Sequence, residues 1–375
     1  MTDPASFLRA GGIASGAMSV LERNDAPPAR VIEIVEPSVR LDAVVVIDHE
    51  LFPTAVGGTR MVPDVTSDEV AHLARAMTWK LAVCGVSYAG AKAGIRFHGG
   101  DRAAVLGTFL ERVREWQDFF LTGPDMGTSP EDFLALEPDG GPMPVWARTH
   151  EGMGMDDLAV GYGIKGAAAV ALERLARPFE GARLAIEGFG KAGAGTARAC
   201  QRAGARVLAV STVDGALVDP AGLDVDELLA LRARHGDQFV NHGSVPVRPR
   251  EALFAVECDV LVPGARPHVI SPGSVPELRC TAVVPTANVP YAPGATDALA
   301  AAGILALPDF VTNAGGIHLY EAPECQEDPA RCLAAVERLV GETTRRMLAA
   351  ADADHVTPTQ AALEIARAFL RTAGG

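Results

Sequence analysis

The chain has 375 residues, of which 48% are hydrophobic and 21% charged, and its formal net charge is −14. This length allows two domains, and the composition is typical of a folded globular enzyme. The negative charge argues against a nucleic-acid or anionic-membrane surface, and no apolar run approaches the ~18 residues that a membrane span requires.

The termini and the cysteines favour a cytoplasmic location. The N-terminus, Met1 to Pro4, lacks the basic-then-apolar pattern of a signal peptide. The six cysteines are scattered along the chain, which predicts reduced thiols rather than a disulfide framework. Cys325 and Cys332 have no second pair or nearby histidine to complete a metal site, so no metal is predicted.

The first half of the chain mixes strand-like and helical segments. The β-branched run Ala43–Asp48 predicts a strand. The sequence Thr66-Ser67-Asp68-Glu69 resembles a capping box, and the apolar residues after it recur at helical spacing until Gly85 stops the helix. Another amphipathic helix is predicted over 102–120, and the Pro-, Gly- and Met-rich residues 138–155 predict a linker.

Two lysines stand out because their surroundings are apolar and rich in glycine. Lys80 falls near the C-terminal end of the first predicted helix, and Lys92 falls in a small-residue segment that we interpret as a loop. A buried ammonium group has a lowered pKa and can polarise a carbonyl group or transfer a proton. The pair therefore predicts a pocket for a small molecule with an anionic group and a carbonyl, such as an α-keto or α-amino acid.

The second half alternates strands and helices. An Ala-rich helix over Tyr162–Arg177 precedes a buried strand at Arg183–Glu187, and a helix at Ala194–Ala203 precedes a strand at Arg206–Val210. Three later strands are predicted at Val260–Val262, Ala282–Val284 and Ile304–Ala306, and two helices at 329–350 and 358–372. This alternation predicts a parallel sheet covered on both faces.

The glycine-rich segment between the strand at Arg183–Glu187 and the next helix predicts a dinucleotide site. Gly188 permits a tight turn, Gly190 lets the pyrophosphate approach, and Gly193 lets the helix pack closely on the strand. The helix N-terminus offers free N–H groups to the phosphates. The predicted cofactor contacts of this unit are Gly188, Phe189, Gly190, Lys191, Ala192, Gly193, Thr212, Asp214 and Ala265.

The residues after the second strand of this unit bear on the choice of coenzyme. Thr212 is the first position past the predicted strand, and Asp214 is two residues further on, where it either reaches the ribose hydroxyls or only forms a turn before Gly215. No Arg or Lys occurs between residues 207 and 230 to accept a 2′-phosphate. We therefore favour NAD over NADP on grounds of charge.

Several motifs in a fixed order show that the chain, from about residue 40 to 372, resembles the glutamate/leucine/phenylalanine/valine dehydrogenase family. The motifs are Gly57-Gly58-Thr59-Arg60-Met61, Met77-Thr78-Trp79-Lys80, Gly90-Ala91-Lys92, Thr122-Gly123-Pro124-Asp125-Met126-Gly127-Thr128, the Gly188–Gly193 turn, Pro308-Asp309-Phe310 and Asn313-Ala314-Gly315-Gly316.

The resemblance implies a fold and roles for individual residues. It implies an N-terminal substrate-binding and oligomerisation domain over 1–155, with helices from 345–375 packing back on it, and a Rossmann-type domain over 156–344 across a cleft. Lys80 is expected to bind the substrate α-carboxylate, and Lys92 and Asp125 are expected to be catalytic. Gly58, Asn288 and Asn313 are expected on the substrate side, with Asn288 also expected to contact the cofactor. The protein is expected to form homo-oligomers.

Three positions favour an apolar substrate side chain. Val56 stands before the paired glycines, where glutamate-specific members of the family carry a lysine, and Tyr320 stands where they tend to carry a serine. Ile317 likewise offers no partner for a second carboxylate. We predict a branched, aliphatic or aromatic L-amino acid, which is closer to the leucine/phenylalanine/valine branch; the open alternative is that these residues are core packing.

The sequence also departs from the family pattern near the expected cofactor cleft. Val160 replaces a usual threonine, Pro285-Thr286 replaces an acid-glycine pair, and His318 replaces an aliphatic residue and could serve as an extra acid/base or only line the pocket. The alternatives to an amino-acid dehydrogenase are therefore a reductase for an uncommon keto acid or imine, and a non-catalytic relative that binds nucleotide or amino acid.

Overall fold

The computed structural model describes residues 26–137, 143–326 and 328–373. Within these residues the chain forms two compact units, one within Met1–Met143 and Leu363–Gly375 and the other over Pro144–Ala362. The prediction of a two-domain α/β chain is confirmed. The N-terminal tetrapeptide and the first part of the predicted linker, residues 138–142, lie outside the described residues.

The elements are numbered in chain order. The strands are β1 (Arg30–Glu36), β2 (Leu41–Ile47), β3 (Ala55–Val62), β4 (Ala89–Arg96), β5 (Phe120–Pro124), β6 (Thr149–His150), β7 (Met153–Gly154), β8 (Arg183–Glu187), β9 (Arg206–Thr212), β10 (Gly215–Val218), β11 (Val247–Arg248), β12 (Val260–Pro263), β13 (Ala282–Val283) and β14 (Leu305–Ala306). The α-helices are α1 (Ser67–Val83), α2 (Arg102–Arg114), α3 (Met155–Arg174), α4 (Lys191–Arg202), α5 (Val225–His235), α6 (Ala295–Ala301), α7 (Asp309–Thr312), α8 (Gly315–Glu321), α9 (Pro329–Asp354) and α10 (Pro358–Ala373). Short 3₁₀ helices lie at Pro130–Leu136, Val145–Ala147, Gly236–Asn241, Arg250–Ala255, Val275–Glu277 and Pro323–Gln326.

The sheet of the first unit has the order β1-β2-β4-β3-β5. Its β3, β4 and β5 are parallel, whereas β1 and β2 are antiparallel to their neighbours. Helix α1 packs on β4 at two glycines: a Cβ atom at Gly90 would lie 2.3 Å from the carbonyl oxygen of Ala74, and one at Gly94 would lie 2.7 Å from Val70. The small residues of β4 therefore give the helix access to the strand.

The first unit differs from the sequence predictions at two places. Lys92 was predicted in a loop, but it is the fourth residue of β4, because a run of Ala and Gly forms a strand here when both faces are covered. The helix predicted over 102–120 ends at Arg114. The predicted N-cap at Thr66 is confirmed, since its hydroxyl accepts the N–H of Glu69 at 3.1 Å.

The sheet of the second unit has the order β11-β10-β9-β8-β12-β13-β14. Strands β8, β9, β12, β13 and β14 are parallel, and β10 and β11 form an antiparallel extension at one edge. The predicted Rossmann-type sheet is confirmed. Helix α3 begins at Met155 rather than at the predicted Tyr162, because its first two turns are also buried.

Helix α3 crosses its neighbours at glycines. A Cβ atom at Gly161 would lie 2.2 Å from the carbonyl carbon of Gly195 in α4, and one at Gly163 would lie 3.3 Å from Gly315 in α8. At Gly166 it would lie 2.3 Å from a backbone oxygen of α9. The backbone of α3 therefore packs closely against α4, α8 and α9. Predicted cofactor and substrate residues lie in or next to α4 and α8.

The prediction of reduced thiols is wrong for one pair of cysteines. Cys325 and Cys332 form a disulfide across the short connection between α8 and α9. They are buried among residues of α3, α8 and α9, including Leu158 and Leu319. The sequence spacing of seven residues did not reveal this bond, because the intervening turn brings the two Cα atoms to 4.2 Å.

Candidate functional site

Three charged side chains of the first unit, two from the parallel strands β3 and β4 and one from the turn after β5, form a connected network. Lys92 Nζ lies 2.9 Å from one carboxylate oxygen of Asp125, and Arg60 Nε lies 2.8 Å from the other. Arg60 also pairs with Glu69 of α1. The side chains of Lys92, Arg60 and Asp125 are 8%, 14% and 21% exposed, so the network is largely shielded from solvent.

The glycines of β3 make room for this network. Strand β3 lies between β4 and β5, so Gly58 is flanked by the strands that carry Lys92 and lead to Asp125. A Cβ atom at Gly58 would lie 3.3 Å from Lys92 Nζ and 3.1 Å from Asp125 Cβ. At Gly57 it would overlap the carbonyl oxygen of Ala91 at 1.7 Å. Both glycines are therefore required by sterics, and Gly58 lies at the predicted site.

A tight turn after β5 holds Asp125. Its backbone N–H donates to the hydroxyl of Thr128 at 2.9 Å, and that hydroxyl lies 2.9 Å from the carbonyl oxygen of Thr59 in β3. Gly127 has φ +82°, and a Cβ atom there would lie 2.0 Å from the carbonyl oxygen of Met61. The Asp125–Thr128 segment is thus pinned to β3, which limits the movement of the carboxylate.

The burial and the charges of the network shift its pKa values. Burial lowers the pKa of Lys92, and this effect outweighs the opposing attraction of Asp125. Burial would raise the pKa of Asp125, but the adjacent Lys92 and Arg60 charges outweigh it and the pKa is lowered overall. Asp125 is therefore ionised, while Lys92 loses its proton more readily than a lysine in water. An amine of this kind can accept and return a proton.

Lys80, Val56 and Gly58 also lie in the first unit. Alternation along β3 places Val56, Gly58 and Arg60 on one partly exposed face. Lys80 lies in the last turn of α1 and is partly buried. It follows Thr78 by two residues, and Thr78 packs on Gly90 and donates to the buried Asp48 at 2.6 Å. Val56 and Gly58 thus lie in the strand beside β4, which carries Lys92, and Lys80 lies in the helix that packs on β4.

The glycine turn of the second unit has the geometry that dinucleotide binding requires. Gly188 has φ +89° and packs on Ala265, where a Cβ atom would come within 2.9 Å. A Cβ atom at Gly193 would lie 1.8 Å from the carbonyl oxygen of Gly188, whereas one at Gly190 would meet no atom within 4 Å. Gly190 is the N-cap of α4, so open space lies at the helix N-terminus, where phosphate groups bind.

The other residues of the turn have different environments. The Phe189 ring is buried against Phe239, with ring centroids 5.2 Å apart, and its N–H donates to the carbonyl oxygen of Ser211. Lys191 is exposed and Ala192 is partly buried in the first turn of α4. Phe189 therefore packs the turn onto the sheet, while Lys191 and Ala192 form the first turn of α4.

Sequence reasoning missed Glu187, the last residue of β8. Its side chain is 5% exposed and accepts the backbone N–H groups of Gly264 and Ala265 at 3.0 and 2.8 Å. Arg266 approaches the same carboxylate at 3.4 Å. Glu187 thus ties the loop after β12, with the predicted cofactor residue Ala265, to the glycine turn. An acid directly before the turn glycine was the available signal.

Thr212 and Asp214 lie at the carboxyl end of β9. Thr212 is the last residue of the strand, and Asp214 is exposed in the turn that leads to β10. The N–H of Asp214 donates to the hydroxyl of Thr212 at 3.2 Å, which supports the turn interpretation of this aspartate. Its exposed carboxylate still faces solvent at the sheet edge where a ribose is expected.

The second predicted substrate group lies around the start of α8. Asn313 is buried and donates to Asn288 Oδ1 at 2.9 Å and to the carbonyl oxygen of Thr286 at 3.2 Å, while its own Oδ1 has no partner among the described residues. Asn288 is exposed, and the next residue, Val289, has φ +52°, a strained conformation for a β-branched residue. Strain of this kind is common at functional sites.

Ile317, Tyr320 and His318 occupy different environments on α8. Ile317 is buried, whereas Tyr320 is 38% exposed and packs on Trp146 with ring centroids 5.6 Å apart. His318 is buried, its Nε2 has no partner among the described residues, and burial lowers its pKa to about 4. A histidine that stays neutral fits a lining or packing role better than a general acid. Val160 lies half-buried in α3.

Two sequence models match the chain. Residues 152–366 match the model described as Glutamate/Leucine/Phenylalanine/Valine dehydrogenase, and residues 38–136 match the model of the Glu/Leu/Phe/Val dehydrogenase dimerisation domain. The chain belongs to this family. The predicted family is confirmed, and with it the coarse assignment to the NAD(P)-dependent amino-acid dehydrogenases.

Similar proteins include glutamate dehydrogenases and one tryptophan enzyme. Glutamate dehydrogenase of Thermotoga maritima is 33% identical over 77% of this chain and 75% of that protein. NADP-specific glutamate dehydrogenase of Saccharolobus shibatae is 28% identical over 70% of this chain, and the match spans 65% of that protein's length. The Leu-bound hetero-hexameric glutamate dehydrogenase of Thermus thermophilus superposes with a TM-score of 0.79 at 24% identity, covering 96% and 92% of the two chains. L-tryptophan dehydrogenase of Nostoc punctiforme gives 0.64 at 22% identity, covering 92% and 95%.

Two further properties concern the described residues. No group of three or more potential metal ligands occurs among them. Nor does any helix within 26–137, 143–326 and 328–373 have the length and apolar character to cross a membrane.

Proposed function

We propose that the protein catalyses the reversible NAD-dependent oxidative deamination of an apolar L-amino acid to its 2-oxo acid and ammonia. The observation that carries this proposal is the buried Lys92–Asp125 ion pair, with an Nζ–Oδ1 distance of 2.9 Å, on the same sheet as Val56. An amine with a lowered pKa beside an ionised carboxylate provides the two proton-transfer groups that amine, imine and ketone chemistry requires.

Each group has a separate role in this mechanism. Lys80 orients the substrate α-carboxylate as a fixed cation. Lys92, whose pKa burial lowers, accepts a proton from the water that attacks the imine carbon, and its protonated form polarises the carbonyl oxygen of the 2-oxo acid. Asp125, anchored by Arg60 and Thr128, moves the proton on the substrate nitrogen. The Gly188–Gly193 turn would hold the dinucleotide, which would supply the hydride-accepting chemistry.

The apolar substrate is supported by Val56, Ile317 and Tyr320. Val56 lies on the same face of β3 as Gly58 and Arg60, because side chains alternate between the two faces of a strand. This face is the one next to Lys92 and Asp125. Neither Val56 nor Ile317 can pair with a second carboxylate, and burying a carboxylate unpaired against them would be costly. These residues support a substrate of the leucine/phenylalanine/valine branch, although the similar proteins include glutamate dehydrogenases.

A substrate panel tests the proposal. kcat/KM is measured for leucine, valine, phenylalanine, tryptophan and glutamate, and in reverse for their 2-oxo acids with ammonia, using NAD(H) and NADP(H). We expect the highest value for an apolar substrate, and a preference for glutamate would refute it. Reduction of 2-oxo acids or imines without amination would favour a reductase, and binding without turnover would favour a non-catalytic relative.

The coenzyme and the assembly are part of the proposal. NAD is supported by Asp214 at the end of β9 and by the absence of Arg and Lys from residues 207–230. A homo-oligomer is supported by the match of residues 38–136 to a dimerisation domain, and light scattering on the purified chain would measure its size. A cytoplasmic location stays a prediction.

A further inference from the structure

At the edge of the second sheet, an arginine lies level with the end of β9, two strands away. Strand β10 returns antiparallel to β9, with Ala216 opposite Ser211, and β11 then pairs with β10, with Arg248 opposite Ala216. Arg248 therefore lies in the same row as Ser211, the residue before Thr212. Two strand spacings, or about 10 Å, separate Arg248 from Ser211.

This edge is the side of the sheet where the adenosine ribose of a dinucleotide is expected. In open α/β sheets the ligand binds beyond the carboxyl ends of the parallel strands, and the residues after the second strand contact the ribose hydroxyls. Here those residues are Thr212 and Asp214, and the glycine turn follows the neighbouring strand β8. A long arginine side chain from β11 can reach over the tip of the β9–β10 turn.

The charges nearby distinguish Arg248 from the other arginines at this edge. Arg250 donates to Glu251 at 2.9 Å, and Arg266 lies 3.4 Å from Glu187, so both guanidinium groups are already paired. Arg248 is exposed, and its side chain has no hydrogen bond or ion pair within the described part of the chain. In a protein with net charge −14, an unpaired cation at this position is a specific attraction for an anion.

We propose that Arg248 binds the 2′-phosphate of NADP, so that the protein accepts NADP(H) as well as NAD(H). This inference rests on the dinucleotide site of the proposed function. A guanidinium group binds a phosphate through two parallel hydrogen bonds, and the 2′-phosphate adds up to about two negative charges at the ribose. Asp214 acts in the opposite direction, because its carboxylate accepts the ribose hydroxyls of NAD and repels a phosphate.

Binding of the reduced coenzymes to the whole protein, measured by fluorescence titration without amino acid, tests the proposal. We expect Arg248→Ala to weaken NADPH binding by about 10- to 100-fold, the effect of one lost charged hydrogen-bonding group, and to change NADH binding by less than about twofold. Arg250→Ala, two residues away but paired with Glu251, is the matched control and should change neither. Asp214→Asn should strengthen NADPH binding and weaken NADH binding.

Each outcome decides the inference. Arg248→Lys should recover part of the NADPH affinity, and the NADPH affinity of the unmodified protein should fall more steeply with salt than its NADH affinity. An unchanged NADPH-to-NADH ratio in Arg248→Ala, or no NADPH binding by the unmodified protein, would overturn it. If both coenzymes bind as expected but no amino acid is turned over, the proposed function fails while the assignment of Arg248 stands.

Discussion

The two units bury polar groups in different ways. In the first unit the buried charges are paired: Lys92 and Arg60 share Asp125, and Arg75 binds Asp48 at 2.6 Å. In the second unit the buried carboxylate of Glu187 accepts two backbone N–H groups beside the glycine turn, and the buried His318 is kept neutral. The first unit therefore links several buried side-chain charges to one another, whereas the second satisfies a buried carboxylate largely with main-chain groups.

The largest effect expected from this difference is at the charged network. Lys92→Met should lower kcat by about 10²- to 10⁴-fold, because it removes the proton-transfer group, while coenzyme binding is retained. Steady-state turnover and NADH titration measure the two quantities. Lys165→Met is the control, since Lys165 pairs with Glu337 at 2.7 Å within the second unit. Full turnover in the Lys92 variant would remove the mechanism proposed here.

Two matched substitutions in the glycine turn separate its effect on stability from its effect on coenzyme binding. Gly193→Ala should lower the free energy of unfolding by about 2–3 kcal/mol, since its Cβ would overlap the Gly188 carbonyl oxygen at 1.8 Å. Gly190→Ala should change stability by less than about 0.5 kcal/mol but weaken coenzyme binding, because its Cβ enters the open space at the helix N-terminus. Thermal unfolding and NADH titration separate the effects; equal destabilisation by both would contradict this account.

The buried histidine predicts a pH dependence of stability. The pKa of His318 is lowered from 6.5 to about 4, so the unfolded chain binds more protons there than the folded one, and stability is lost as the pH falls from 6.5 towards 4. Between pH 6.5 and 4, the free energy of unfolding of His318→Leu should fall by about 3 kcal/mol less than that of the unmodified protein. Chemical unfolding across this pH range measures it, with His72→Leu at an exposed position of α1 as control. Parallel curves for the unmodified protein and His318→Leu would show that the histidine does not contribute.

The smallest expected effect concerns the substrate side chain. Val56→Lys should raise the ratio of kcat/KM for glutamate to that for leucine by about 10- to 100-fold, because it supplies a partner for the second carboxylate. Val62→Lys lies on the same face of β3 at its far end and serves as the control. If both lysines change the ratio equally, Val56 does not line the side-chain pocket.

Much of the fold could be predicted because it depends on local patterns. The strand Arg183–Glu187 has the predicted bounds, and the glycine turn and the N-cap at Thr66 are where their motifs place them. Chemical identity also marked Lys92 and Asp125, which the structure brings to 2.9 Å. Turns, caps and residue types are properties of a few neighbouring residues, so a single sequence contains them.

The rest depended on contacts between distant segments. The Ala- and Gly-rich run Ala89–Arg96 has weak strand propensity, and it becomes a strand because β2, β3 and α1 cover it. The disulfide between Cys325 and Cys332, the role of Glu187 and the position of Arg248 beside β10 likewise follow from contacts across the fold.

The amino-acid order by itself determined the family, the alternation of strands and helices, and which side chains carry charge into apolar surroundings. Only the tertiary structure decided which charges neutralise one another and which stay available, as with Arg250 paired to Glu251 and Arg248 exposed beyond it. The physical reason is that electrostatic partnership depends on distance in space, and strand pairing sets that distance independently of separation along the chain.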